Sequence, residues 1–526
     1  MGGSPCAMTA DDHEIRLTVG RMRKRPRFQG FRRFRGDRVG LRNSGQRHRY
    51  RDREQHRAHE TKMRMQSTVH ARPPVADRPP VYCSSVRANT GVIIDFVAFF
   101  TAKRRVFAVF CTAAAIGQIH AQNLEISPNR VMVDESATLR ATGLQPNERV
   151  TIAAELIDGG DVRWTSKAEF VADQSGSIDV SKQAPVAGSY KEASAMGLVW
   201  SMTESGGKES RYQSPKTLGN QEIEFRLIRK TDEIATAKLE QVTLAEGVKR
   251  VIVRAGDLRG TLFIPPTSTG ATPRPGVLVL GGSEGGLPSR RAAWLASHGY
   301  AAFALAYFHY EDLPERLEAI PLEYFGRALS WMAERPEIDP DHIGVMGVSR
   351  GGELALQLGS MYPALRAVVA YVPANVLYSA CCGGRMMGAA WTWKGAPLAY
   401  ALPGTERGMV TDQMKAAIHV EQTAGPILLI SGQSDGIWPS SEMTNAVAAR
   451  LRLAHFAYPV ERLDYPHAGH RAGMPEIVPA WQSNVTHPLT GSVENLGGTP
   501  EGNGASSLDA APKVLEFLRR SLGAAK

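Results

Sequence analysis

Ile343-Gly344-Val345-Met346-Gly347-Val348-Ser349-Arg350-Gly351-Gly352-Glu353 decides the fold. The first four residues read as a short apolar strand, and a helix is expected over 353–359. Between them, Gly347 to Gly351 match G-x-S-x-G, a pattern that sets a serine on a sharp strand-to-helix turn. The glycines answer a steric need, because side chains beside such a strained residue would collide with the strand and the helix. The turn also puts Ser349 at a helix N-terminus, whose dipole favours developing negative charge. A Gly-rich helix cap around a spectator serine is the plainer alternative. The strand before and the helix after favour the functional one.

Working outward, the same alternation repeats. Apolar runs at 275–280, 300–306, 343–346, 367–371 and 426–430 read as strands. Helical stretches are expected at 290–298 and across Leu317, Ile320, Leu322, Phe325, Ala328, Leu329 and Met332. Apolar strands alternating with helices mean a mostly parallel sheet covered on both faces. Residues 123–247 differ. Val150 to Ile157 and Ile223 to Arg229 are β-rich, turn clusters separate such runs, and helical period is absent. An antiparallel β-sandwich is expected there. The division is therefore 1–96, 97–122, 123–247 and 248–526.

A serine hydroxyl needs a base, and in this architecture the chain order is serine, acid, histidine. Asp435 follows the 426–430 strand in a polar loop. His470 follows the next strand, 462–465, in Tyr465-Pro466-His467-Ala468-Gly469-His470. His470 would take the Ser349 proton while Asp435 fixes its tautomer. His467 and Asp464 compete. His470 is preferred over His467, and Asp464 lies on the strand itself. The oxyanion hole needs two backbone N–H groups. One is expected from Arg350 and the other from the loop at Gly282, Ser283 or Glu284. Glu353 is either a carboxylate supporting Ser349 or a solvent-facing helix charge. The run 281–286 has neither a Gly-Lys-Ser/Thr nor a G-x-G-x-x-G, so a nucleotide loop is excluded. No metal-ligand spacing and no cofactor motif is found.

The chain has 526 residues, 43% hydrophobic and 22% charged, which excludes a wholly disordered or collagen-like chain and a polytopic membrane protein. The net charge of +10 is unevenly placed. Residues 1–105 hold 24 Lys and Arg against 9 Asp and Glu, leaving the rest mildly acidic. The Arg-rich stretch 16–64 has no apolar period and reads as disordered. Without a recognition fold, it does not make a nucleic-acid binder. Lys103, Arg104 and Arg105 precede an apolar run from Val106 to Ile116, and Ala121 follows. That is the pattern of a secretory signal, and the run is too short to span a bilayer. A start near Val97 would put the signal at its usual place. Export is expected if the signal is real, with the cytoplasm as the alternative. Cys381 and Cys382 are neighbours, which rarely bridge each other.

These residues resemble the acyl-CoA thioester hydrolase / bile acid-CoA:amino acid N-acyltransferase family. The resemblance rests on Gly188-Ser189-Tyr190 with 196–202, on Arg259 to Pro265, on 304–307 with 310–314, and on Gly347 to Leu354. Tyr465-Pro466 and Ala468-Gly469-His470 complete it. The match spans about 123–526. It implies a β-sandwich before an α/β-hydrolase domain, with Ser349, Asp435 and His470 as a triad. It also implies thioester hydrolysis, since the amino-acid-conjugating members carry cysteine where Ser349 stands. The 281–286 loop and the insert-like stretch from Cys381 to Trp393 depart from the family's pattern. The substrate expected is a small-molecule acyl thioester or ester. An exported serine carboxylesterase or peptidase-like hydrolase, an acyl-CoA:amino acid N-acyltransferase, and a non-catalytic binding protein are the alternatives.

Overall fold

The computed structural model describes residues 121–206, 211–266, 273–382, 388–402, 414–480 and 485–523. The expectations for the Arg-rich stretch and for residues 97–120 lie outside these. Among the described residues, no helix is long and apolar enough to cross a membrane.

Eight strands build the central sheet: β1 Lys249–Val253, β2 Arg259–Ile264, β3 Arg274–Leu280, β4 Ala301–Ala306, β5 Ile338–Val348, β6 Leu365–Tyr371, β7 Ile427–Gly432 and β8 Val460–Tyr465. Their spatial order is β1-β2-β4-β3-β5-β6-β7-β8. β2 runs antiparallel to both neighbours. Strands β3 to β8 are parallel throughout. This is an α/β-hydrolase sheet, and its strands are apolar on both faces because both faces are covered.

The alternation of side chains sorts them between two cores. Leu278, Leu280, Val345, Val368, Ala370, Ile427 and Leu429 face one side. There they meet helices α2 Glu323–Ala333, α3 Arg350–Met361 and α4 Ser440–Leu453. Val277, Val279, Met346, Val369, Leu428 and Ile430 face the other. There they meet α1 Ser289–Ser297 and the long α5 Pro500–Leu522. The expected amphipathic stretch becomes a helix only from Glu323. Leu317 forms an isolated bridge with Cys381, and Ile320–Pro321 pairs with Trp391–Trp393. A second correction concerns the neighbouring cysteines, since Cys381 and Cys382 are joined in a disulfide. Cys382 adopts a left-handed backbone with φ of 71°.

Before β1 the strands form two sheets, one of three strands and one of seven. Arg149–Ile157 alternates buried and exposed residues along its length, as a half-buried strand must. Both sheets feed one apolar core containing Ile152, Trp164, Phe170, Phe225 and Leu227. Pairing departs from the expected antiparallel pattern at one place, where Arg130–Met132 runs parallel to Asp232–Val242. The segment after His470 enters this core: Ile477, Val478 and Ala480 pack in it. Ile477 N–H donates to Val133 O at 2.8 Å, and Gln241 Nε2 donates to Ile477 O at 2.9 Å. The β-rich region is thereby fastened beside the loops that follow β7 and β8.

Candidate active site

Parallel strands deliver their C-terminal loops to one edge of a sheet, where ligands generally bind. Here Leu280 is level with Gly347, Val348 with Tyr371, and Gly432 with Tyr465. The 281–286 loop, Ser349, Asp435 and His470 all follow directly on those strand ends.

Ser349 sits between β5 and α3 with φ of 57° and ψ of −120°. A non-Gly residue at positive φ is strained, and the surrounding contacts show what holds it there. A Cβ on Gly347 would lie 1.8 Å from Gly351 O, and one on Gly351 would lie 2.1 Å from Gly281 O. Any side chain at either position would break the turn. Ser349 N–H donates to Tyr371 O at 2.9 Å, tying the turn to the sheet.

His470 bridges the other two predicted residues. Its Nε2 lies 2.8 Å from Ser349 Oγ, and its Nδ1 lies 2.9 Å from Asp435 Oδ2. The Asp435 side chain is 1% exposed and that of His470 11%. The carboxylate is also held by the amides of Ile437 and Trp438, which donate to Oδ1 at 2.9 and 3.3 Å. His470 N–H donates to Leu496 O at 2.7 Å, which orients its backbone. The arrangement can move a proton from the hydroxyl to the ring and stabilise the resulting imidazolium.

The competitors are placed elsewhere. Asp464 accepts hydrogen bonds from Ser431 Oγ at 2.6 Å and Ser441 Oγ at 2.9 Å, and pairs with Arg462. His467, at φ 58°, shapes its loop: its carbonyl accepts from Thr499 N–H at 2.8 Å. Glu353 does not face solvent. Its carboxylate is 0% exposed, pairs with Arg350 Nε at 3.2 Å and accepts from Trp391 Nε1 at 2.8 Å. Burial pushes the Glu353 carboxyl above its ordinary range, and the Arg350 charge opposes that rise. The Arg350 guanidinium also donates to Ser379 O at 3.0 Å and to Tyr378 O at 3.1 Å.

The 281–286 loop approaches the serine closely. A Cβ on Gly282 would lie 3.4 Å from Ser349 Cβ. Tyr307 Oη donates to Gly281 O at 2.7 Å and pins the start of the loop. Ser283 Oγ lies 3.2 Å from His487 Nε2. The Glu284 carboxylate pairs with Arg211, from the β-rich region, at 2.6 Å, and this guanidinium holds it below the usual carboxylate range although desolvation alone would raise it.

Ser349 and His470 open into a cavity of about 910 Å³. Its wall includes Ser283, Glu284, Arg290, Arg291 and Arg471 on the hydrolase side, and Val162 and residues 211–214 on the other. Three features had no sequence signal: Trp438, whose ring meets His470; Arg211 and its neighbours, remote in the chain; and Leu496, which anchors His470. Among the described residues, no group of three or more His, Cys, Asp or Glu is placed to hold a metal ion.

Comparison with known proteins gives the lineage. Residues 134–255 match the acyl-CoA thioester hydrolase/BAAT N-terminal region, and residues 320–524 match the BAAT / acyl-CoA thioester hydrolase C-terminal model. The chain belongs to the acyl-CoA thioester hydrolase/BAAT family. Acyl-coenzyme A thioesterase 6 of Mus musculus is 30% identical over 423 residues, covering 77% of this chain and 98% of its own. Acyl-coenzyme A thioesterase 1 of Homo sapiens is 30% identical over 414 residues, covering 74% of this chain and 94% of its own. Acyl-coenzyme A amino acid N-acyltransferase 1 of Mus musculus is 31% identical over 427 residues, covering 75% of this chain and 97% of its own. Ser349, Asp435 and His470 lie within the family's C-terminal match, and Arg211 within its N-terminal one. The 281–286 loop falls between the two matches.

Proposed function

We propose that this chain hydrolyses acyl-CoA thioesters through Ser349, His470 and Asp435 by way of an acyl-enzyme. The observation that carries the reading is the position of His470, within hydrogen-bond reach of the hydroxyl on one side and the carboxylate on the other. As Ser349 Oγ attacks the thioester carbonyl, His470 Nε2 takes its proton, and Asp435 stabilises the imidazolium. The developing oxyanion is met by the amide of Arg350 and by an amide from Gly282, Ser283 or Glu284. Collapse expels the coenzyme A thiolate, which takes the proton from His470. A water, deprotonated by the same ring, then attacks the ester carbonyl, and the fatty acid leaves as Ser349 recovers its proton. No cofactor enters.

Two of the relatives cited above are named as acyl-CoA thioesterases. Serine at position 349 favours water as the final acceptor over transfer to an amino acid, since an oxygen ester reacts with amines far more slowly than a thioester does. The β-rich region over 123–247 and the α/β-hydrolase region over 248–526 are taken as the two domains, with the cavity between them as the substrate site.

Wild type and Ser349→Ala assayed on palmitoyl-CoA and on a short nitrophenyl ester test the reading. The expected result is thioester hydrolysis by wild type and its loss in the variant. Equal activity in both would end the proposal, and ester hydrolysis without thioester hydrolysis would turn it toward a carboxylesterase.

A further inference from the structure

The cavity beside Ser349 has an unusual wall. Four guanidinium groups line it: Arg211 from the β-rich region, Arg290 and Arg291 from the first turn of α1, and Arg471, the residue after His470. Three carboxylates, Glu284, Glu476 and Glu494, share the lining. Two of these are matched to arginines, Glu284 to Arg211 and Glu476 to Arg290 at 2.9 Å. The pairing leaves guanidinium donors unused. Among the described residues, Arg290 Nη1 and Arg291 Nε are buried without a hydrogen-bond partner, and Arg291 Nη2 makes only a long contact, donating to Leu280 O at 3.5 Å.

A buried charge with unused donors is costly. Burial pushes the Arg291 and Arg471 guanidiniums below their ordinary range. The charge and hydrogen bond of Arg290, helped by Arg471 and Arg291, hold Glu476 low, against a burial that alone would raise it. Charged groups so perturbed, lining a cleft beside a reactive serine, mark a candidate ligand site. The first turn of α1 carries no acidic residue and no side-chain cap, so its own dipole adds to the field of the two arginines. Planar guanidiniums match phosphate oxygens through paired hydrogen bonds.

We propose that Arg290 and Arg291, with Arg211 reaching in from the β-rich region, form a phosphate-binding subsite for the coenzyme A half of the substrate. The inference rests on the thioesterase reading and names how that site tells a coenzyme A thioester from other thioesters. It also gives the β-rich region a part in recognition: Arg211, held by Glu284 on the loop that touches Ser349, closes the cavity from the far side.

The test compares kcat/KM for palmitoyl-CoA with that for the phosphate-free palmitoyl N-acetylcysteamine thioester. Wild type, Arg211→Gln and Arg291→Gln are assayed at low and high salt. Wild type should prefer palmitoyl-CoA, and the preference should shrink as salt screens the phosphates. Each variant should lower the preference about tenfold, through KM for palmitoyl-CoA, as expected for one hydrogen-bonded charge. Arg211 is partly exposed and gives a folded variant if Arg291→Gln does not. A preference that is absent in wild type, or the same in the variants, overturns the subsite while leaving the thioesterase reading intact. A gain for an N-acetylcysteamine thioester ending in a carboxylate, without a preference for coenzyme A, would place the anion on the acyl side and also overturn it. Hydrolysis of neither thioester would overturn the function itself.

Discussion

The indole of Trp438 stands edge-on to the imidazole of His470, with ring centroids 5.4 Å apart and planes at 79°. On its other side the indole stacks on Tyr378, and its Nε1 donates to Val372 O at 3.0 Å. The ring therefore forms a wall that keeps the imidazole turned toward both Ser349 and Asp435. Trp438→Ala removes that wall and should lower kcat about tenfold or more, because small misplacements of a reacting group cost heavily. Trp438→Phe keeps the edge and loses one hydrogen bond, at about 1 kcal/mol of stability. Steady-state kinetics with thermal melts separate the two, and equal kcat in both variants would show that the wall does not position the ring.

The Arg350–Glu353 pair gives a pH-dependent prediction. The glutamate is fully buried and its carboxyl is raised, so its folded form loses stability as pH climbs from 4.5 through that raised value. Arg350→Met removes the charge that opposes the rise. The variant should be destabilised by about 3 kcal/mol or more at pH 8, where an unpaired carboxylate must stay buried, and by less at pH 5. Urea melts at the two pH values measure this. A penalty equal at both would mean that Glu353 keeps its charge state without the arginine.

Glycines in the turn give a steric prediction. Gly351→Ala drives a methyl group to 2.1 Å from a carbonyl oxygen and should abolish activity. Gly395→Ala meets nothing within 4 Å among the described residues, and the cost there is that of its φ of 75°, about 1 kcal/mol. Activity and melting temperature of the two variants check the contrast.

Away from the site, Glu421 and Arg450 form a hydrogen-bonded pair at 2.7 Å. The guanidinium lowers the Glu421 carboxyl from 4.5 to about 2. A depressed carboxyl adds stability above its unfolded value and loses it as pH falls through the folded one. Between pH 4.5 and about 2, wild type should lose stability faster than Glu421→Gln. Parallel acid-denaturation curves would contradict the pairing.

Much of this was legible in the sequence because it is local. G-x-S-x-G with a strand before it and a helix after it states its own geometry. The serine, acid, histidine order of this architecture points to Asp435 and His470, and the structure brings His470 within hydrogen-bond reach of both Asp435 and Ser349. The strand cores at β3, β6 and β7 were readable as apolar runs because both faces of the sheet are covered. What stayed hidden depends on contacts between distant residues. Nothing near Arg211 says that it will face Ser283 and Glu284, since that follows from Ile477 and Ala480 entering the β-rich core. Leu317 and Ile320 fit a helical period yet end in strand-like pairings, because partners at Cys381 and Trp391 compete for their backbone. The join between Cys381 and Cys382 went against the usual behaviour of neighbours, and a left-handed Cys382 accompanies it.

Intact-mass measurement of the enzyme quenched during turnover of palmitoyl-CoA tests the central claim most directly. Wild type should carry one palmitoyl group, released from a peptide containing Ser349, and Ser349→Ala should carry none and hydrolyse nothing. Undiminished thioester hydrolysis by Ser349→Ala, or an acyl group held elsewhere, would contradict it.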